Sequence, residues 1–206
     1  MATLVQLDQV TIGYPGQSAP VLADFSLSLS GRELVVLFGA SGVGKSTLLR
    51  AIAGLQAPSS GKLGYPATGN RPPKMGFVFQ EDRLFPWRRV AANVALGLET
   101  GPEMDRTERR KRADAMLHRV GLGHLGSRWP RELSGGQRQR VGIARALAVE
   151  PRLLLMDEPF SSLDYLVRRG LQDEVLRLWS SDGIPVVFVT HDIEEAIRLA
   201  DRIIVL

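Results

Sequence analysis

ELVVLFGASGVGKSTLLRAIAGL, residues 33–55, decides how the chain is read. An apolar run of strand length, 33–38, leads into a glycine-rich loop, and Leu48, Leu49 and Ile52 then recur at helical spacing. Strand, loop and helix in that order let consecutive backbone N–H groups curl round an anion at a helix N-terminus. Gly39, Ala40, Ser41, Gly42, Val43 and Gly44 are the expected phosphate cradle. Lys45 is placed to reach terminal phosphates, Ser46 to ligate Mg²⁺, and Thr47 completes the motif. An ordinary turn with an incidental lysine explains neither the spacing nor the setting.

The rest of the chain fits a parallel α/β architecture. Strands are expected at 4–12, 25–29, 33–38, 75–80, 152–157 and 185–190, with a last apolar run at the end, 203–206. Residues 57–73 read as loop or hairpin, and helices as 165–182 and 193–200. From 83 to 150 the pattern is helical, broken at Gly101 and Pro102, between Gly121 and Gly126, and at Trp129 and Pro130. The expected organisation is one domain, with a nucleotide-binding core formed by 1–82 and 151–206 and an inserted helical subdomain at 83–150.

Composition narrows the class. A 206-residue chain that is 44% hydrophobic buries a real core. No apolar run is long enough to span a bilayer, and MATLVQLDQV has no signal-peptide pattern, so the expectation is neither integral to a membrane nor exported. The lack of cysteine removes disulfides and thiolate metal sites and suits the cytoplasm. Net charge is +4, with 26 Lys and Arg of which only Lys45, Lys62, Lys74 and Lys111 are lysine. The densest cluster, RTERRKRAD at 106–114, reads as the solvated face of a helix or as a phosphate-backbone patch.

LLLMDEP, 153–159, is a buried parallel strand closed by two acids. Asp157 is placed to hold a Mg²⁺ shell, and Glu158 to polarise an attacking water. Neighbours on extended chain face opposite ways, which separates the two roles. Gln80 and His191 also end strands, where ligands of open parallel sheets bind. His191 reads as a γ-phosphate contact, and Gln80 as a ligand of the metal or its water through the amide oxygen.

A second anion-binding pattern stands at LSGGQ, 133–137, directly before a helix-like run. Ser134 offers a hydroxyl, and Gly135 and Gly136 allow a close backbone approach, although a capping serine followed by flexible glycines is also consistent.

Together these residues resemble an ABC-transporter ATP-binding subunit. GASGVGKST, Gln80, LSGGQ, LLLMDEP, SSLD at 161–164 and His191 occur in that family's order over essentially the whole chain. The resemblance implies a P-loop NTPase of α/β class with a mostly parallel central sheet, an N-terminal antiparallel β subdomain and an inserted helical subdomain. It implies ATP and Mg²⁺ as cofactors and ATP hydrolysis coupled to transport. Two copies would pair head to tail, with Ser134, Gly135, Gly136 and Gln137 of each closing over the ATP on the other's P-loop. Tyr14 matches the aromatic that stacks on adenine, the other reading being a half-buried strand tyrosine. Asp164 matches the acid coupling the two sites. Further implied partners are membrane permease subunits and, indirectly, a solute-binding protein, at the cytoplasmic face of the inner membrane. No nucleic acid is expected.

FVFQEDRLFPWRRVAANVALGL, 77–98, looks like the ATPases of importers for nitrate, taurine, alkanesulfonates and related solutes, and the resemblance implies that 81–99 would face the permease. Tyr165 stands where a small residue is common. The family pattern runs on beyond DRIIVL, and from 206 residues the expectation is that no regulatory domain is appended. The rivals are a soluble ABC ATPase acting on nucleic acid or ribosomes, with the arginines as its footprint, and a small-molecule kinase. The kinase leaves LSGGQ unexplained.

Overall fold

A computed structural model describes residues 3–14, 16, 19–99, 104–161 and 163–206, side chains of 178 and 182 excepted. The chain divides into two compact units, Met1–Pro73 with Gly183–Leu206, and Lys74–Asp182. The second unit is wider than the helical stretch expected at 83–150.

The first unit holds an antiparallel sheet in the order β2-β1-β4, formed by β1 (Thr3–Ile12), β2 (Leu22–Ser30) and β4 (Ser60–Gly64). In β1, Val5 and Leu7 point inward two residues apart, but Val10 follows after three. A register shift between Leu7 and Val10 absorbs the extra residue, with Gln9 at φ 47°, so that Val10 and Ile12 return to the core face. The hairpin reading of 57–73 thus resolves into a sheet strand and a short 3-10 turn at Pro66–Thr68.

The same unit contains β3 (Leu34–Phe38) between β7 (Val186–Thr190) and β8 (Arg202–Val205), all parallel. Every residue of β7 is buried and β3 is buried up to Phe38, as expected for strands covered on both faces. Helices α1 (Lys45–Ile52) and α6 (Ile193–Leu199) belong here, α1 burying Leu48, Leu49 and Ile52 at about 1.5–3 kcal/mol each.

The second unit pairs β5 (Met75–Val78) in parallel with β6 (Leu153–Asp157). Its helices are α2 (Val90–Ala95), α3 (Arg106–Arg119), α4 (Gly135–Ala148) and α5 (Tyr165–Asp182). The expected break at Gly101 and Pro102 lies outside the described residues. Residues 84–89, expected to be helical, are not. The reason is Asn93, fully buried on α2: its Oδ1 accepts from Phe85 N and its Nδ2 donates to the carbonyls of Phe85, Arg88 and Arg89. Those bonds reward a turn over a helix.

Within α3 only Ala113 and Leu117 are buried, while Arg112–Glu108 and Arg110–Asp114 pair along its surface. The basic cluster is therefore a solvated helix face. Among the described residues no helix is long and apolar enough to cross a membrane.

Candidate functional site

The first unit builds the loop expected to cradle phosphate. Phe38 of β3 pairs with Thr190 of β7, so Gly39 and His191 leave neighbouring strands at the same level. Gly44 caps α1 at φ 104°, a conformation costly to any residue with a Cβ, and a Cβ there would also lie 2.8 Å from Val21 Cγ1. No side-chain hydrogen bond caps α1 and its first turn holds no acid, as suits a helix start that favours an anionic ligand. Lys45 is only 4% exposed, and its ammonium donates to Gly39 O at 2.9 Å and Ala40 O at 2.8 Å. The cation is thus held at the loop it is expected to serve. Thr47 shares a hydrogen bond of 3.2 Å with the Tyr14 hydroxyl, which fixes a 40% exposed aromatic beside the same loop. Ser46 is half-buried and His191 exposed.

The second unit builds the acid end. Val78 pairs with Met156, which carries Gln80 and Glu158 off adjacent strand ends. Asp157 is buried, closing β6. Glu158 is not its alternate neighbour on an extended strand, as expected from sequence. It sits at φ 42°, in the left-handed region, so a turn rather than strand alternation sets its direction. Ser161 makes that turn: its N–H reaches Glu158 O at 3.3 Å and its hydroxyl donates to the same oxygen at 3.1 Å. Gln80 Nε2 in turn donates to Ser161 Oγ at 3.4 Å. Sequence reading missed Ser161 although it opens the quoted SSLD, because its partner is a main-chain atom.

Ser134 is the N-cap of α4, its hydroxyl accepting from Gln137 N at 3.3 Å while Gln137 Oε1 accepts from Ser134 N at 2.9 Å. The capping alternative is therefore realised, and Gln137 is its other half. Helix geometry still leaves the N–H groups of Gly135 and Gly136 without intrahelical acceptors, at an end where Ser134 and Gly135 are exposed. A Cβ on Gly136 would lie 2.5 Å from Val167 Cγ1 of α5, so packing alone demands glycine there. Asp164 likewise caps α5, accepting from Val167 N at 3.0 Å. Arg140 of α4 and Glu174 of α5 pair at 3.2 Å, and burial pushes the Glu174 carboxyl above its usual range.

A phosphate loop, a strand-end acid pair and a capped glycine signature occur together in one known family, and its profile matches residues 22–161. The chain belongs to the ABC transporter family. It is 48% identical over 206 residues to the taurine import ATP-binding protein TauB of Pseudomonas putida, covering 98% of this chain and 78% of that one. The TauB of Pseudomonas savastanoi pv. phaseolicola is 49% identical, with the same coverage. Among solved structures, the ATP-binding cassette MJ0796, dimeric in a post-hydrolysis state with ADP and Pi, has a TM-score of 0.85 at 36% identity, covering 98% of this chain and 94% of that one. The cbiO1 protein of Clostridium perfringens, part of the complex cbiONQ, gives 0.87 at 28% identity, covering 100% and 85%. The fold is that of the α/β P-loop NTPases. As an ABC ATPase the chain binds and hydrolyses ATP.

Proposed function

We propose that this ABC ATPase powers a prokaryotic importer for taurine or a related small sulfonate, working as a head-to-tail pair on permease subunits at the cytoplasmic face of the membrane. The observation that carries it is 48–49% identity, over 98% of this chain, to taurine import ATP-binding proteins. The dimeric state of MJ0796 supports the pair. A nucleic-acid or ribosome ATPase draws no support from these relatives. Solute choice lies with the permease and its binding protein.

In this scheme Lys45 holds the terminal phosphates, Tyr14 stacks on adenine and His191 steadies the γ-phosphate. Glu158 polarises the water, while Ser134, Gly135, Gly136 and Gln137 of one copy face the γ-phosphate on the other. Asp164 couples the two sites. The oxygen donors Ser46, Asp157 and Gln80 fit a hard divalent cation: Gln80 uses its amide nitrogen on Ser161, which keeps its oxygen for a metal or its water. Magnesium bound with ATP would neutralise phosphate charge. Residues 81–99 with their exposed Trp87 would meet the permease.

The test is the mass of Glu158→Gln in solution, by light scattering, with and without Mg·ATP. A monomer that becomes a dimer only with ATP supports the pair, and Ser134→Arg should then prevent it while leaving ATP binding intact. Dimerisation that survives Ser134→Arg sinks the trans site.

A further inference from the structure

The loop that follows Gln80 is fastened to the helix that begins at Ser134. Arg138 Nε donates to Asp82 Oδ2 at 2.8 Å, and the same guanidinium donates to Leu133 O at 2.7 Å, one residue before Ser134. Arg145 gives one nitrogen to Arg83 O and another to Asp82 O, each at 2.8 Å. Gln139, 4% exposed, reaches Phe79 O at 3.4 Å. Positions 138 and 145 lie two turns apart on one face of α4. On the loop side, Asp82 Oδ1 accepts from Leu84 N, and Arg83 at φ 45° lays its guanidinium 4.2 Å over Phe79.

Energetics make this a rigid joint. Burial lowers the tendency of Arg145 to stay charged, Asp82 opposing it, so the guanidinium tolerates its site only while the two carbonyls satisfy it. Moving the loop off the helix would strip a half-buried cation of two acceptors and break charge-assisted bonds at Arg138.

Resting on the two-copy reading above, we infer that Arg138 and Arg145 are positioning residues that make nucleotide engagement by Gln80 and presentation of Ser134 to the second copy a single event. Neither arginine is among the residues expected to contact nucleotide. Arg138 is the critical one because one planar fork spans both ends of the link, which an ammonium does not reproduce.

The experiment is a double-mutant cycle in the Glu158→Gln chain, reading the Mg·ATP concentration that half-dimerises it. A fluorescent ATP analogue reads monomer affinity in parallel. Gln80→Ala and Arg138→Ala should each raise the half-dimerisation concentration about tenfold or more, and the combination should be no worse than the worse single change. Monomer affinity in Arg138→Ala should stay within about twofold. Multiplying effects, or an Arg138→Ala chain that dimerises like its parent, overturn the link. If Arg138→Ala does not fold, Asp82→Asn keeps the Leu84 acceptor, removes the charge and should shift dimerisation in the same direction; no shift overturns the link as well. A parent that never dimerises with ATP overturns the two-copy reading and the link with it, whereas a parent that dimerises while Arg138→Ala is unaffected overturns the link alone.

Discussion

The hydroxyl of Ser161 donates to the main-chain oxygen of Glu158 at 3.1 Å, inside a turn that holds Glu158 at φ 42°. The hydroxyl also accepts from Gln80, so one small side chain sets the backbone beneath the proposed base and the rotamer of its neighbour. Ser161→Ala should lower kcat about tenfold, the cost of one lost positioning bond, with KM changed by less than about twofold. Steady-state ATPase kinetics check it. An unchanged kcat would show that the turn holds Glu158 without the hydroxyl.

The left-handed backbone at Glu158 can be tested separately from its carboxylate. Glu158→Ala keeps a Cβ in a region that disfavours one, whereas Glu158→Gly does not. Both should nearly abolish turnover, but the glycine chain should be more stable than the alanine chain by about 1 kcal/mol. Denaturant melts of the two decide it. An alanine chain as stable as the glycine chain would mean that the turn relaxes in solution.

How far the sequence went depends on what made each signal. GASGVGKST was legible because its chemistry demands residue types at fixed spacing, and β3 and α1 followed from the hydrophobic pattern around it. LLLMDEP was legible as a buried strand for the same reason. What stayed hidden was set by bonds to main-chain atoms, which leave no pattern in residue identity. Asn93 refolds 84–89 into a turn through three carbonyls and one N–H, defeating a helical reading of the local propensities. Ser161, and the attachment of Arg138 and Arg145 to the loop after Gln80, are of the same kind. Strand alternation was the wrong ground for placing Glu158, because it stops where the strand does, at Asp157.

The two signature glycines answer to different constraints. At Gly136 a Cβ would stand 2.5 Å from Val167 Cγ1, while at Gly135 the nearest atom, Leu163 Cδ2, is 3.7 Å away. Gly136→Ala should therefore destabilise the chain by about 1–3 kcal/mol through overpacking against α5. Gly135→Ala has ordinary contact distances and should fold at least as well as the native chain, because alanine favours a helix by about 1 kcal/mol over glycine. If Gly135→Ala also loses ATP-driven pairing while keeping its stability, its glycine serves the partner rather than the fold. Thermal melts with light scattering separate the two, and Val167→Ala should recover most of the Gly136→Ala loss.

Lys45 donates to Gly39 O and Ala40 O, so its removal acts on loop and ligand together. Lys45→Ala should weaken ATP binding by about a hundredfold or more, the loss expected of a buried charge-assisted contact. Binding measured by calorimetry would have to stay within about threefold of native to remove Lys45 from the phosphate site.

Glu132, in the turn that leads into the signature, should make stability depend on pH in the acid range. Its carboxylate accepts from Trp129 N at 2.6 Å and from Arg128 at 2.9 Å, and the main-chain bond first, then the arginine, holds its pKa below the ordinary 4.5. A lowered folded-state pKa means that the unfolded chain binds the proton first as pH falls. The stability from Glu132 is therefore fully present above pH 4.5 and is lost as pH drops from there through the folded value. Glu132→Gln keeps an acceptor for Trp129 N without a charge. Native Tm should exceed that of Glu132→Gln near neutral pH, and the gap should close as pH falls below 4.5. A gap that stays constant across that range would show that charge contributes nothing and that the carboxylate acts only as a neutral acceptor would.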